Sequence, residues 1–152
     1  MAGFYGTFEN KVDQKGRVSV PAPFRQNLNV MAAFPSHRAE AIEGCTMDYM
    51  EQLSGRVSEI ELFSETHDDL AFTVFSDTLQ LTFDSTGRIQ LSEGLRAHAG
   101  ISDRAAFVGL GHMFQIWEPA KLVAHKAAAR ARAREKKITL PSPGNSSDGG
   151  SR

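Results

Sequence analysis

The sequence predicts a mixed α/β chain, mainly β, built from two copies of one strand–turn–strand–helix unit with a further helix after them. Three observations carry this. Slid against itself by 71 positions, FYGTFENKVDQKGRVSVPAPFR (4–25) lies without a gap over FSDTLQLTFDSTGRIQLSEGLR (75–96). Within each copy the apolar residues alternate, as half-buried strands require. Each copy then runs into a short segment bearing helix-start residues.

The copies share Phe4 with Phe75, Thr7 with Thr78, Asp13 with Asp84, Gly16 with Gly87, Arg17 with Arg88 and Arg25 with Arg96. Apolar positions correspond too: Phe8 with Leu79, Val12 with Phe83, Val18 with Ile89 and Val20 with Leu91. Chance would not keep both the identities and the alternation, so this is an internal duplication. In copy one, Phe4, Phe8, Val12, Val18 and Val20 share a parity; in copy two, Phe75, Leu79, Leu81, Phe83, Ile89 and Leu91 do. Each set predicts a strand pair linked by a DxxGR segment, in which Gly16 or Gly87 is free to take positive φ.

PAPFRQNL and SEGLRAHAGI each predict about two helical turns. Pro21 or Pro23 suits the first turn, Ser92 is an N-cap, and Gly100 before Ile101 is a C-terminal glycine cap. AAFVGLGHMFQIWEP (105–119) reads as one or two strands, with AEAIEGCTMDYM (39–50) as its weaker counterpart in copy one. Residues 49–64 read as an acidic helix. After Pro119, AKLVAHKAAARARAREKK is alanine-rich and basic and predicts a helix. PSPGNSSDGGSR, from Pro141, has the composition of a disordered tail. The expected organisation is repeat 1 over 3–50, an acidic helical connector over 51–73, repeat 2 over 74–119, a basic helix over 120–138 and a tail over 139–152.

At 152 residues the chain fits one ordinary domain or two small repeats sharing a core. No apolar run approaches the roughly 18 residues of a membrane span. The start, MAGFYGTFENKVDQKGR, lacks the apolar stretch of a secretory signal. A single cysteine, Cys45, rules out an internal disulfide and a multi-thiolate zinc site; it reads as a small buried hydrophobe, with a reactive thiol as the alternative. The expected setting is cytoplasmic.

Net charge is −1, but the charge is segregated. Residues 1–39 hold Lys11, Lys15, Arg17, Arg25 and Arg38 against two acids, and residues 40–84 hold eleven acids against Arg56. Residues 121–137 hold seven bases against Glu135. Such segregation permits a basic surface on a neutral protein, as a selective polyanion binder needs.

Enzyme signatures are missing, so no catalytic residue, metal or cofactor is expected. His37, His67, His98, His112 and His125 show no metal-ligand spacing. The GLG at 109–111 lacks the third glycine and following helix of a dinucleotide site. Asp68 and Asp69 read as a solvated acidic face, and no P-loop or nucleophile elbow occurs. That leaves the duplicated arginine, for which two readings are open. Arg17 pairs with Asp13 across the turn, as Arg88 does with Asp84, and the role ends there; or the guanidinium is displayed at a hairpin tip, where it can bond guanine O6 and N7 bidentately. In the second reading Asp13 orients Arg17 and Lys15 serves a phosphate. Copy two has Thr86 where copy one has Lys15, which makes copy one the better DNA reader and leaves copy two a mainly structural alternative.

YGTFENKVDQKGRVSVPAPFR, DSTGRIQLSEGLRAHAGI and VGLGHMFQIW, in this order, resemble the MraZ family of bacterial transcriptional regulators. The resemblance runs from about residue 3 to 125. It implies a SpoVT/AbrB-type fold, in which two swapped-hairpin repeats form a pseudo-twofold β-barrel with short helices, followed here by the C-terminal helix. It also implies a ring-shaped homo-oligomer, nucleoid-associated, that represses the division and cell-wall gene cluster by binding double-stranded DNA at G-rich direct repeats upstream of it. No membrane and no small-molecule substrate are implied. Carried over onto matching positions, Lys15, Arg17 and Arg88 are the DNA-binding residues, and Asp13, Gly16, Asp84 and Gly87 hold the motifs. The alternatives are an oligomeric interaction module, or an AbrB-type antitoxin, in which the DxxGR motifs are mainly structural. The basic C-terminal helix is either a solvated face or a source of added phosphate contacts.

Overall fold

Eight short strands arise where the sequence alternates or runs apolar: β1 (Thr7–Lys11), β2 (Arg17–Ser19), β3 (Val30–Pro35), β4 (Ile42–Cys45), β5 (Leu79–Thr82), β6 (Arg88–Gln90), β7 (Arg104–Gly109) and β8 (Phe114–Trp117). The computed structural model describes residues 3–26 and 28–142. Six strands form one antiparallel sheet in the order β1-β7-β8-β4-β3-β5, and β2 pairs with β6 in a separate ribbon. Four of the six strand pairings among the described residues run between the copies, while β3–β4 and β7–β8 each pair within one. β1 of the first lies on β7 of the second, with Phe8 opposite Phe107, and β5 of the second lies on β3 of the first, with Leu81 opposite Met31. Exchanging the copies leaves the sheet order unchanged, with β4 and β8 meeting at its centre. The pairs among described residues leave β1 and β5 as edges and do not close a barrel.

The strand pair expected within each copy is therefore largely an exchange between copies. Inside copy one the two arms of the link are joined by an isolated bridge, Val12 to Val18, and by Asn10 Nδ2 donating to Ser19 O at 2.8 Å. Phe75, placed on a strand by its parity, instead ends a π-helical turn over Ala71–Phe75.

The core explains the alternation. Val12, Val18, Val20, Ile89 and Leu91 are buried under the ribbon, together with residues of both copies. Phe24 lies at the hub, with its ring centroid 5.3 Å from Phe4, 5.5 Å from Phe8 and 5.4 Å from Phe114. β3, β4, β7 and β8 are buried on both faces. Behind them, Phe34 and Cys45 pack on Met50 and Val74, while Val108 and Trp117 pack on Leu122. Burial, reinforced by the Glu43 charge, pushes the Cys45 thiol up to about 12, so it stays a protonated hydrophobe.

One buried carboxylate ties the copies together at the sheet centre. Glu43 and Gln115 are register partners in β4 and β8. Glu43 accepts from Ser36 Oγ at 2.8 Å, Arg38 Nε at 2.8 Å and Gln115 Nε2 at 3.1 Å. Burial alone would raise its pKa, but these donors and the Arg38 charge bring it below the usual carboxylate value.

The helices follow their caps. α1 (Met47–Val57) starts at Thr46, whose hydroxyl accepts from Tyr49 N at 3.0 Å, and α2 (Glu65–Leu70) starts at Ser64 in the same way. The single helix read over 49–64 is thus α1, breaking at Ser58, followed by a separate α2. α3 (Glu93–Ala99) begins at Ser92 and ends at Gly100 with φ 68°. Its counterpart after Pro21 is only a 3-10 turn, Ala22–Phe24; Pro21 offers no side-chain acceptor at the N-cap, where Ser92 Oγ accepts from Leu95 N at 3.2 Å in α3. α4 (Pro119–Lys136) is the basic helix. The chain divides into one unit up to Leu122 and another from Val123. In the second, Arg130, Arg132 and Arg134 are exposed. The expected tail lies outside the described residues from 143 onward. Among the described residues, no helix is long and apolar enough to cross a membrane.

Candidate nucleic-acid interface

Both DxxGR links fold into the same turn, built by the aspartate. Asp13 Oδ1 accepts from Lys15 N at 2.9 Å and from Arg17 N at 2.8 Å, while Asp13 N donates to Arg17 O at 3.0 Å. Gly16 N closes on Asp13 O at 3.0 Å, and Gly16 takes φ 84°, a conformation that suits glycine. The second oxygen, Asp13 Oδ2, then accepts from Arg17 Nε at 2.7 Å. One carboxylate therefore shapes the loop with one oxygen and aims the guanidinium with the other.

Copy two repeats the arrangement. Asp84 Oδ1 accepts from Thr86 N at 2.9 Å and Arg88 N at 2.9 Å, Asp84 Oδ2 accepts from Arg88 Nε at 2.9 Å, and Gly87 has φ 81°. It adds a bond that copy one lacks, from Thr86 Oγ1 to Asp84 Oδ1 at 2.8 Å. The backbone N–H donors hold both carboxyls below the usual range, led by Arg17 N for Asp13 and Arg88 N for Asp84. Because each aspartate engages its arginine through Nε, both Nη groups of Arg17 have no partner among the described residues.

The two loops are adjacent. Antiparallel pairing puts Arg17 opposite Gln90 and Ser19 opposite Arg88. Val18 and Ile89 point into the core, so the outer face of the ribbon carries Arg17, Ser19, Arg88 and Gln90. Backbone bonds cross between the loops, from Leu91 N to Gly16 O at 2.8 Å and from Val20 N to Gly87 O at 3.1 Å. Arg88 Nη1 stands 4.0 Å from Asp13 Oδ2. Arg17 and Arg88 are each about one-third exposed, at 39% and 35% of their side chains, which leaves each guanidinium within reach of a ligand.

A two-stranded ribbon is a shape the major groove admits, and a guanidinium with its two Nη groups unspent can meet guanine O6 and N7. Sequence reasoning singled out Lys15, Arg17 and Arg88, which lie on the two loops and the ribbon, but not Gln90, whose Nε2 donates to Lys15 O at 2.9 Å and fixes the first loop from the second copy. It also missed the role of the duplicated Arg25 and Arg96. Arg96 lies beside Gly16 and donates from Nε to Leu91 O at 3.1 Å, and Arg25 lies beside Gly87. The signal was present as an identity in the repeat, but not the crossing that puts each arginine under the other copy's loop.

Comparisons with known proteins place the chain in a family. A family model described as "MraZ protein, putative antitoxin-like" matches residues 74–138, which hold the second DxxGR copy and the basic helix. A "Transcriptional regulator MraZ" of Pelagibacter ubique is 43% identical over 142 residues, covering 90% of this chain and 92% of the relative. Proteins of the same name from Gluconacetobacter diazotrophicus and Gluconobacter oxydans are each 40% identical, covering 98% and 95% of this chain and 98% and 96% of the relatives. This chain belongs to the MraZ family. Since the MraZ relatives align over both copies, the family resemblance read from the paired DxxGR motifs holds for the chain as a whole.

Proposed function

We propose that this chain is a sequence-specific DNA-binding repressor that reads G-rich direct repeats upstream of the division and cell-wall gene cluster. It acts in the cytoplasm, at the nucleoid, as a homo-oligomeric ring. The observation that carries the reading is the β2–β6 ribbon, whose outer face presents two aspartate-held arginines side by side. Arg17 and Arg88 read bases, Lys15 meets a phosphate, and Asp13, Gly16, Asp84 and Gly87 hold the loops. The exchange of strands between copies supports a swapped-hairpin arrangement of repeats 3–50 and 74–119, joined by the 51–73 connector. One ribbon gives weak recognition; linking several raises effective concentration without new contacts. Subunits related by rotation present the ribbon in the same sense, which favours direct repeats about 10–10.5 bp apart.

A gel shift on the chain's own upstream region, with and without Arg17→Ala, tests this. The wild type should shift the region and the variant should not, with fold and assembly intact. A variant that melts early or elutes as a smaller species would instead make the arginine a structural element, as the interaction-module reading requires.

A further inference from the structure

The two duplicated arginines under the loops are not equivalent. Arg96 lies within α3, which the Ser92 cap starts, and its Nε donates to Leu91 O at 3.1 Å. Arg25 follows the 3-10 turn over Ala22–Phe24. Its Nε is buried and has no hydrogen-bond partner among the described residues. A buried donor left unpaired costs free energy that a ligand oxygen would recover. Arg25 also lines an open cleft of about 620 Å³ beside the second loop, together with Gln26, Asn29, Asp84 and Ser85.

The cleft is lined by one cation, Arg25, and one carboxylate, Asp84. In copy one the loop and its brace hold Lys15, Arg17 and Arg96 against Asp13. In copy two Arg88 and Asp84 cancel, and Thr86 stands where copy one has its lysine. Asp84 is already engaged by four donors, from Thr86 and Arg88, so Arg25 is left as the uncompensated cation at this loop.

We infer that Arg25 binds a backbone phosphate of the DNA at the second loop, supplying from the first copy the phosphate contact that Lys15 supplies in the other loop. Arg25 then positions the duplex and reads no base. The inference rests on the DNA-binding reading above.

The test titrates the full chain against two labelled duplexes, its own upstream region and a scrambled sequence, between about 50 and about 200 mM salt. For Arg25→Gln, affinity for both duplexes should fall by one common factor. The slope of log affinity against log salt should fall by about 0.9 per engaged protomer, roughly threefold in affinity per contact over that salt range. Arg25→Lys should keep most of the slope, and the melting temperature should not fall, since the lost Nε donor has no partner among the described residues. An unchanged slope, a loss confined to the operator duplex, or a variant that fails to fold would each overturn the inference. So would stabilisation of the wild type by millimolar inorganic phosphate that Arg25→Gln abolishes without altering the duplex slope, which would mark a free-anion site. If the wild type binds neither duplex, the DNA-binding reading itself has failed, and that control reports it separately.

Discussion

The first loop, DQKGR, and the second, DSTGR, share a turn and an aspartate-held arginine, yet they are supported differently. The first has a lysine at its tip, and beneath it an arginine whose Nε is satisfied by Leu91 O. The second spends the equivalent position on Thr86 Oγ1, which adds a fourth bond to Asp84, and beneath it lies an arginine whose Nε has no partner among the described residues. Duplication therefore preserved the geometry that displays a guanidinium and let the charge around it diverge. Two loops brought together on one ribbon need not divide the work equally.

The largest expected effect breaks the turn itself. A Cβ at Gly16 would stand 2.5 Å from Leu91 O, a backbone atom already fixed by the bond between Leu91 N and Gly16 O. At Gly87 it would meet the far end of the Arg25 side chain, which can move. Both glycines also have positive φ. Gly16→Ala should cost about 2–5 kcal/mol, strain plus overpacking, and Gly87→Ala about 1–2 kcal/mol, strain alone. Urea denaturation of the two variants measures the difference. Equal losses would mean that the loops are equally constrained.

Next comes recognition. If Arg17 makes the proposed bidentate base contact, Arg17→Ala should cost about 1–3 kcal/mol per site, multiplied across the engaged protomers. Arg88→Ala should weaken operator binding less, because its loop has no lysine. Anisotropy titrations of both variants decide the ranking, and indistinguishable losses would make the ribbon a symmetric reader.

How much of this was legible follows from which signals are local. The turn, its glycine, its aspartate and its arginine lie within five residues and recur 71 positions later, so they could be read directly. The Ser92 cap and the Gly100 stop of α3 were equally local. β3 was not legible: VMAAFP is buried on both faces and carries no alternation to reveal a strand. The parity of Phe8 and Val12 identified a buried face but not its partner, which proved to be the other copy's β7 rather than its own hairpin. The 3-10 turn after Pro21 differs from α3 in its caps: Ser92 Oγ and Gly100 bound α3, whereas Pro21 has no side-chain acceptor and Arg25 stands at the C-cap. Arg25 and Arg96 appeared as a repeat identity, and only the crossing of the copies gave them a place.

Acid should separate the loops by a smaller margin. Both aspartates have folded pKa values below the unfolded value of about 3.9. Their contribution is therefore complete above that value and is lost as pH falls through the depressed folded values. Thermal melts between about pH 6 and about pH 2 should show stability falling below about pH 4. Asp84→Asn should remove more of that dependence than Asp13→Asn, because Asp84 accepts four bonds and Asp13 three. An acid limb unchanged in Asp84→Asn would place its origin elsewhere, with the buried Glu43 the next group to test.

The smallest effect asks whether the second loop can be turned into the first. Thr86→Lys removes the hydroxyl bond to Asp84, a loss of roughly 0.5–1.5 kcal/mol, but leaves both backbone donors to Asp84 Oδ1 in place, so the loop should keep its shape. The new ammonium would occupy the position of Lys15. If that position meets a phosphate, the slope of log affinity against log salt should steepen by about 0.9 per engaged protomer, on operator and scrambled duplex alike. Lys15→Ala should shift the slope by the same amount in the other direction, with sequence preference little changed. Opposite and equal shifts would show that the lysine acts through its charge at a fixed place on the loop, whichever copy holds it. A slope that moves in Lys15→Ala but not in Thr86→Lys would show that only the first loop approaches the phosphates closely, and the asymmetry between the copies would then lie in how DNA seats on the ribbon.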